Sequence, residues 1–202
     1  MLGAAAALIA GCAVDKPAPT GFEIRAPLFA SSEGNAGGNG DINMGTHLTG
    51  DEEVLVVPAG APHPSDSHAQ GQAIYRVNDD GTVDFKLIAS NIDNVIMAHI
   101  HCGRPGANGP IRMWLYPVIG ATGAPGPNGA GAQNGVLASG TFNPAGIICP
   151  AANVGTNMPL LDAIRAGLTY TNVHTNDGVG ATNTGPGDFP GGEIRGQIDH
   201  GR

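Results

Sequence analysis

His99 and His101 stand two residues apart in the stretch Met97-Ala98-His99-Ile100-His101-Cys102. Side chains alternate between the two faces of a β-strand, so both imidazoles look out on one face while Ala98, Ile100 and Cys102 look the other way. A second alternating run, Leu168-Thr169-Tyr170-Thr171-Asn172-Val173-His174-Thr175, carries a third histidine near its end, where it meets the first two if the strands lie side by side. Three neutral imidazoles suit copper or zinc. Two at i, i+2 with a third from a neighbouring strand form a T-shaped or trigonal set and leave a position open for water, a thioether or a small oxidant. Met97 shares the face of His99 and offers a weak soft donor. His68, or His63, in or beside the loop before the first hairpin, is a candidate fourth ligand. The competing reading makes the histidines partly buried sheet residues bonded to Asn, Thr or backbone carbonyls.

Cysteine use bears on the compartment and on what fixes this geometry. The run Met1-Leu2-Gly3-Ala4-Ala5-Ala6-Ala7-Leu8-Ile9-Ala10-Gly11-Cys12 has the length of a signal-peptide core and is too short for a membrane span. Its end, Leu8-Ile9-Ala10-Gly11-Cys12, resembles the lipobox of bacterial lipoproteins, which implies a lipid anchor to the membrane at Cys12, although no Lys or Arg precedes the run. Ordinary secretion with Cys12 removed is the alternative. Cys102 and Cys149 then remain, and two cysteines in an exported domain usually form a disulfide. The rival is a blue-copper-like His/Cys site, which requires both thiols to be free.

The elements that position these residues follow from composition. Charged residues make up 13% of the 202, aromatics 4%, while 33 Gly and 16 Pro account for about a quarter of the chain. Short strands joined by Gly/Pro-rich loops are expected, and long helices are not. The hydrophobic fraction of 41% supports a core. Net charge is -8, with nine Lys and Arg scattered singly, so nucleic-acid binding is not expected. Residues 13–41, with Pro17, Pro19 and Pro27 and a Gly/Asn/Ser tract, read as a flexible tether, and residues 42–202 as the domain.

Within the domain, Met44 to Gly50 reads as a first strand, and His68 to Val77 and Thr82 to Ala89 as a hairpin about Asn78-Asp79-Asp80-Gly81. Pro110 to Tyr116, Val136 to Phe142, the run ending at His174 and Gly192 to Ile198 supply further strands. Met158 to Ala166 is the single expected helix, stopped at Gly167. About seven to nine short strands describe an all-β Greek-key β-sandwich or flattened barrel with long Gly/Pro-rich loops. On the last strand Glu193 and Arg195 share a face. They are either contacts behind the imidazole of His174 or, as the plainer reading, a solvent-facing pair. Gly103, Gly106 and Gly109 with Pro105 and Pro110 form a tight loop and not a phosphate cradle, because no helix follows.

Ala98-His99-Ile100-His101 with Gly103, then Asn108-Gly109-Pro110, then Tyr170-Thr171-Asn172-Val173-His174-Thr175, and finally Pro190-Gly191-Gly192-Glu193-Ile194-Arg195-Gly196-Gln197-Ile198 together resemble the CHRD domain. That domain is named after chordin and is found in bacterial and archaeal exported proteins. His47-Leu48-Thr49-Gly50 with Glu53 fits its first strand, so the likeness spans about residues 44 to 198. A looser likeness is to copper/zinc superoxide dismutase, an eight-stranded Greek-key barrel. It implies that His99, His101 and His174 match copper ligands, though the chain has no clear bridging histidine and no zinc loop of the dismutase kind. The expectation is an exported, lipid-anchored module that binds copper, or zinc, through these three histidines. A copper-dependent redox enzyme and a structural or adhesive surface domain are the alternatives.

Overall fold

The computed structural model describes residues 43–117, 126 and 128–200. The apolar run ending at Cys12 and residues 13–41, expected from sequence to form a tether, lie outside the described residues. By internal contacts the chain divides into Met1–Glu33 and Gly34–Arg202, and every described residue belongs to the second unit.

Period-two alternation becomes strand almost wherever it occurs. The strands β1 (Asn43–Thr49), β2 (Gln70–Val77) and β3 (Val83–Asp93) form a meander. Its second turn closes as Asn78 N donates to the Thr82 carbonyl at 2.9 Å, with Gly81 at φ 82° and Asp80 accepting from Thr82 N. β4 (Val95–Cys102), β5 (Ile111–Tyr116) and β6 (Ala132–Phe142) follow, then the two-residue β7 (Ile148–Cys149).

The helical segment differs from the sequence expectation. Among the described residues there are two short α-helices, α1 (Ala151–Val154) and α2 (Leu160–Arg165), with β8 (Met158–Pro159) between them. Pro159 supplies the fixed φ that leads into α2, and Gly167 at φ 67° follows its end. β9 (Thr169–Thr175), β10 (Ile194–Gln197) and β11 (Asp199–His200) complete the chain.

All neighbours in the main sheet run antiparallel, in the order β5-β4-β9-β10-β1-β2-β3-β6, and β11 also pairs with β1. The two edge strands, β5 and β6, line opposite sides of a cavity of about 450 Å³ bounded by Phe85, Met113, Leu115 and Phe142. The sheet is thus nearly closed as a barrel, in agreement with the all-β expectation.

Inside it lie Leu48, Tyr75, Leu87, Ala98, Ile100 and Val173, all buried. Each buried Leu or Ile contributes about 1.5–3 kcal/mol. Tyr75 reaches across from β2, and its hydroxyl bonds Thr171 on β9 at 2.6 Å. Cys102, also inward-facing, forms a disulfide with Cys149, with a Cα–Cα distance of 5.5 Å. The bridge ties the segment around β7 to the paired-histidine strand.

This packing decides where the histidines point. Because Ala98, Ile100, Cys102, Thr171 and Val173 face inward, His99, His101, Asn172 and His174 face out of the barrel wall. That outer face is not left in water: every residue of β9 is buried. Loops 50–67, 103–110 and 176–193 cover it. Asn108 Nδ2 donates to the Val54 carbonyl at 2.7 Å, joining the first two, while Gly192 packs against the Glu53 carboxyl, joining the first and third.

Candidate metal centre

Register brings the three imidazoles together. On β4 and β9, Met97 lies opposite His174, His99 opposite Asn172 and His101 opposite Tyr170. His99, His101 and His174 are buried, and one ligand nitrogen from each lies within 4.8 Å of the other two. His99 Nδ1 is 3.2 Å from His174 Nε2.

Backbone carbonyls set the tautomers. His174 Nδ1 donates to the Pro190 carbonyl at 2.9 Å, and His101 Nδ1 to the Gly109 carbonyl at 2.8 Å. A carbonyl can only accept, so in both neutral rings the proton sits on Nδ1 and Nε2 carries a bare lone pair. His101 Nε2 and His99 Nε2 are buried without a hydrogen-bond partner. Such carbonyl contacts behind an imidazole are the arrangement that orients metal-ligating histidines.

Electrostatics keep the set neutral. Burial, followed by the neighbouring His174 and His101, pushes His99 down to about 2. Burial pushes His174 down to about 4 and lowers His101 as well, in each case against the carbonyl that favours the charged ring. Three buried, neutral imidazoles, each with a ring nitrogen within 4.8 Å of the other two, can hold a metal ion. The donor set is all nitrogen, which fits copper and zinc better than magnesium or calcium.

Aromatic rings wall the centre. Trp114, opposite His99 on β5, meets it edge-on at 4.2 Å between ring centroids. Tyr170 stacks on His101 at 4.8 Å and 10°. Arg195 lies 3.5 Å above the other element of that stack, the Tyr170 ring, and its guanidinium donates to Asn108 Oδ1 at 3.0 Å and the Ala107 carbonyl at 2.9 Å. Tyr170 Oη in turn accepts from Gly109 N at 3.1 Å, which anchors the loop whose carbonyl holds His101.

The remaining sequence candidates are distributed differently. His68 is exposed and outside the cluster, and His63 caps the short turn Pro64–Asp66, with Nδ1 accepting from Ser65 N. Neither joins the three histidines. Met97 is half-buried opposite His174.

Glu193 and Arg195 do not face solvent: both are buried, because the loops cover their face. Glu193 accepts from Ser67, Thr175 and Gly187 N, and so fixes the 176–193 loop that presents Pro190 to His174. Arg195 acts through Tyr170. Asp188 accepts from Thr184, and Asp177 from Val179 N, within that same loop.

Two site residues escaped the sequence reading. Asn172 is buried, with Oδ1 3.0 Å from His174 Nε2. Glu53 is buried under loop 50–67 with Oε1 unpartnered, and burial pushes its carboxyl up to about 8 despite the Arg195 charge and a hydrogen bond from Asn172. Asn172 was marked by the same alternation that marked His174, two residues on. Glu53 sat in an acidic run, Asp51-Glu52-Glu53, that reads as exterior.

Comparison with known proteins gives one match: the family model of the CHRD domain covers residues 44–198, well over half of the chain. No curated protein and no solved structure matches it.

Proposed function

The chain belongs to the CHRD domain family, and from that premise we propose that it is an exported module that holds one copper ion, with zinc as the alternative, on His99, His101 and His174. The observation that carries this reading is the convergence of three buried, neutral imidazoles, each with a nitrogen within 4.8 Å of the others. A sheet that needed histidine only for packing has no use for His99 Nε2 and His101 Nε2 buried with no hydrogen-bond partner. The burial of the three rings favours holding and handing on a metal over turnover of a substrate. The disulfide fits an oxidising compartment outside the cytoplasm, as do CHRD domains generally, and the lipobox-like sequence at Cys12 supplies the membrane anchor.

The test is metal analysis of the untagged full chain, with Cu(II) titration followed by EPR, in wild type and in His99→Ala/His101→Ala. One equivalent of copper with nitrogen hyperfine structure, lost in the double variant, is expected. Absence of stoichiometric metal, with stability unchanged in the variant, overturns the proposal.

A further inference from the structure

Three protein atoms crowd one point beside His174. Its Nε2 lies 3.2 Å from His99 Nδ1 and 3.0 Å from Asn172 Oδ1. The proton of neutral His174 is committed to the Pro190 carbonyl, so Nε2 meets Asn172 Oδ1 as one lone pair meets another. Two acceptors at that separation repel unless a metal ion, or the single proton of neutral His99 when it sits on Nδ1, lies beside both.

The amide could relieve this by turning its nitrogen toward His174, but its other side is occupied in a way that fixes the orientation. The Asn172 side chain also interacts with the buried Glu53 carboxyl, which keeps a carbonyl oxygen able to accept from Nδ2 even when it holds its proton. The oxygen is thereby left toward the imidazoles, 3.0 Å from His174 Nε2. Backbone register supports the placement: Asn172 lies opposite His99 on one side and opposite Arg195 on the other, in the middle of the buried outer face.

The separations have the size of ligand-to-ligand edges. With metal–nitrogen and metal–oxygen bonds of about 2.0–2.1 Å, neighbouring donors are about 2.9 Å apart in a square arrangement and about 3.3 Å apart in a tetrahedral one. The observed 3.0 and 3.2 Å fall between these. An Asn–His hydrogen bond alone would account for the first distance. It does not account for a nitrogen that has no proton to give and a carbonyl oxygen that has none either.

We infer that the Asn172 amide oxygen is the fourth donor to the metal, completing a three-nitrogen, one-oxygen set with His99, His101 and His174, and that Glu53 orients that amide from behind. This rests on the three-histidine reading and extends it. A neutral amide oxygen is a harder donor than a thioether, and it favours Cu(II) or Zn(II) over Cu(I).

The experiment uses the untagged full chain carrying ¹³C at the asparagine side-chain carbonyl, loaded with one equivalent of Cu(II) and examined by pulsed EPR, beside Asn172→Ala and Asn172→Asp. The wild type is expected to show a ¹³C coupling from one directly bound carbonyl, absent in Asn172→Ala. Asn172→Ala is expected to bind Cu(II) about 10–100-fold more weakly, whereas Asn172→Asp, which keeps an oxygen at the same place, binds at least as tightly as wild type. Nitrogen-coordinated copper in wild type with no ¹³C coupling overturns the assignment of Asn172 and leaves the three-histidine site standing. Failure of wild type to bind copper or zinc overturns both. The label is read in the wild-type protein, so the outcome does not depend on whether either variant folds.

Discussion

Arg195 shows at the residue scale how the site is held. Its register turns it outward from β10, yet its exposure is only 2%, and its charge is accommodated by a ring and two oxygens. The guanidinium plane over Tyr170, and Tyr170 flat against His101, form one stack from cation to phenol to imidazole. Lysine retains the charge but has neither the plane for stacking nor the fork that reaches Asn108 and Ala107 together. Arg195→Lys is therefore expected to lower the unfolding free energy by about 2 kcal/mol, measured as a lower urea midpoint at unchanged slope. A loss under half that size would show that the stack does not contribute to holding the loop. Alternation along the sequence already put Glu193 and Arg195 on one face and paired His99 with His101. It could not reveal that the face is covered, because the cover comes from loops distant in sequence, joined by single bonds such as Asn108 to Val54. Asn172 was missed for a chemical reason: asparagine has ordinary uses in any sheet, and only its neighbours make it a donor.

Elements differ in how much of them is local. The β2–β3 hairpin was legible because its turn and alternation lie within one stretch, whereas the order of strands around the barrel depends on non-local pairing, such as β4 with β9, that no window of sequence contains. Loop 103–110 combines both. Its glycines and prolines mark a tight turn, and β5 rather than a helix follows it, but the demands on individual glycines arise from packing. A Cβ at Gly109 would fall 1.6 Å from the Cys102 carbonyl oxygen, so the backbone itself would have to move. That backbone carries the carbonyl that fixes His101 and the N–H that meets Tyr170. Gly106, at φ 71°, has nothing within 4 Å of the same position. Gly106→Ala is expected to cost about 1 kcal/mol from backbone conformation alone. Gly109→Ala is expected to cost about 3 kcal/mol and to shift the His101 ring resonances in NMR spectra of the metal-free chain. Equal costs for the two substitutions would mean that the loop moves freely and does not position the imidazole.

At the scale of the whole molecule, buried groups of opposite kind set how the metal-free fold responds to pH. His174 is held down to about 4 and His99 lower still, against an ordinary value of 6.5. The unfolded chain therefore takes up protons at these positions first. Their contribution is fully present above about 6.5 and is lost as pH falls toward 4, at up to about 1.4 kcal/mol per pH unit for each ring that stays neutral in the fold. Glu53 works in the other direction. Its carboxyl is raised from 4.5 to about 8, so the folded state keeps a proton that the unfolded state has released. Stability from this group is complete below 4.5 and is lost as pH rises through 8. Between 4.5 and 6.5 two or more histidines oppose one carboxyl, and stability rises with pH. Between 6.5 and 8 only the carboxyl limb remains, and stability falls by about 2 kcal/mol. Urea unfolding of the chelator-treated chain from pH 4 to 8.5 is thus expected to show a maximum near 6.5, and Glu53→Gln to lose the alkaline limb while keeping the acid one. Bound copper, which requires unprotonated imidazoles, is expected to steepen the acid limb, because protons then compete with metal as well as with burial. An alkaline limb that survives in Glu53→Gln would assign the loss to a different group and remove Glu53 from the set of buried charges that the fold must keep neutral.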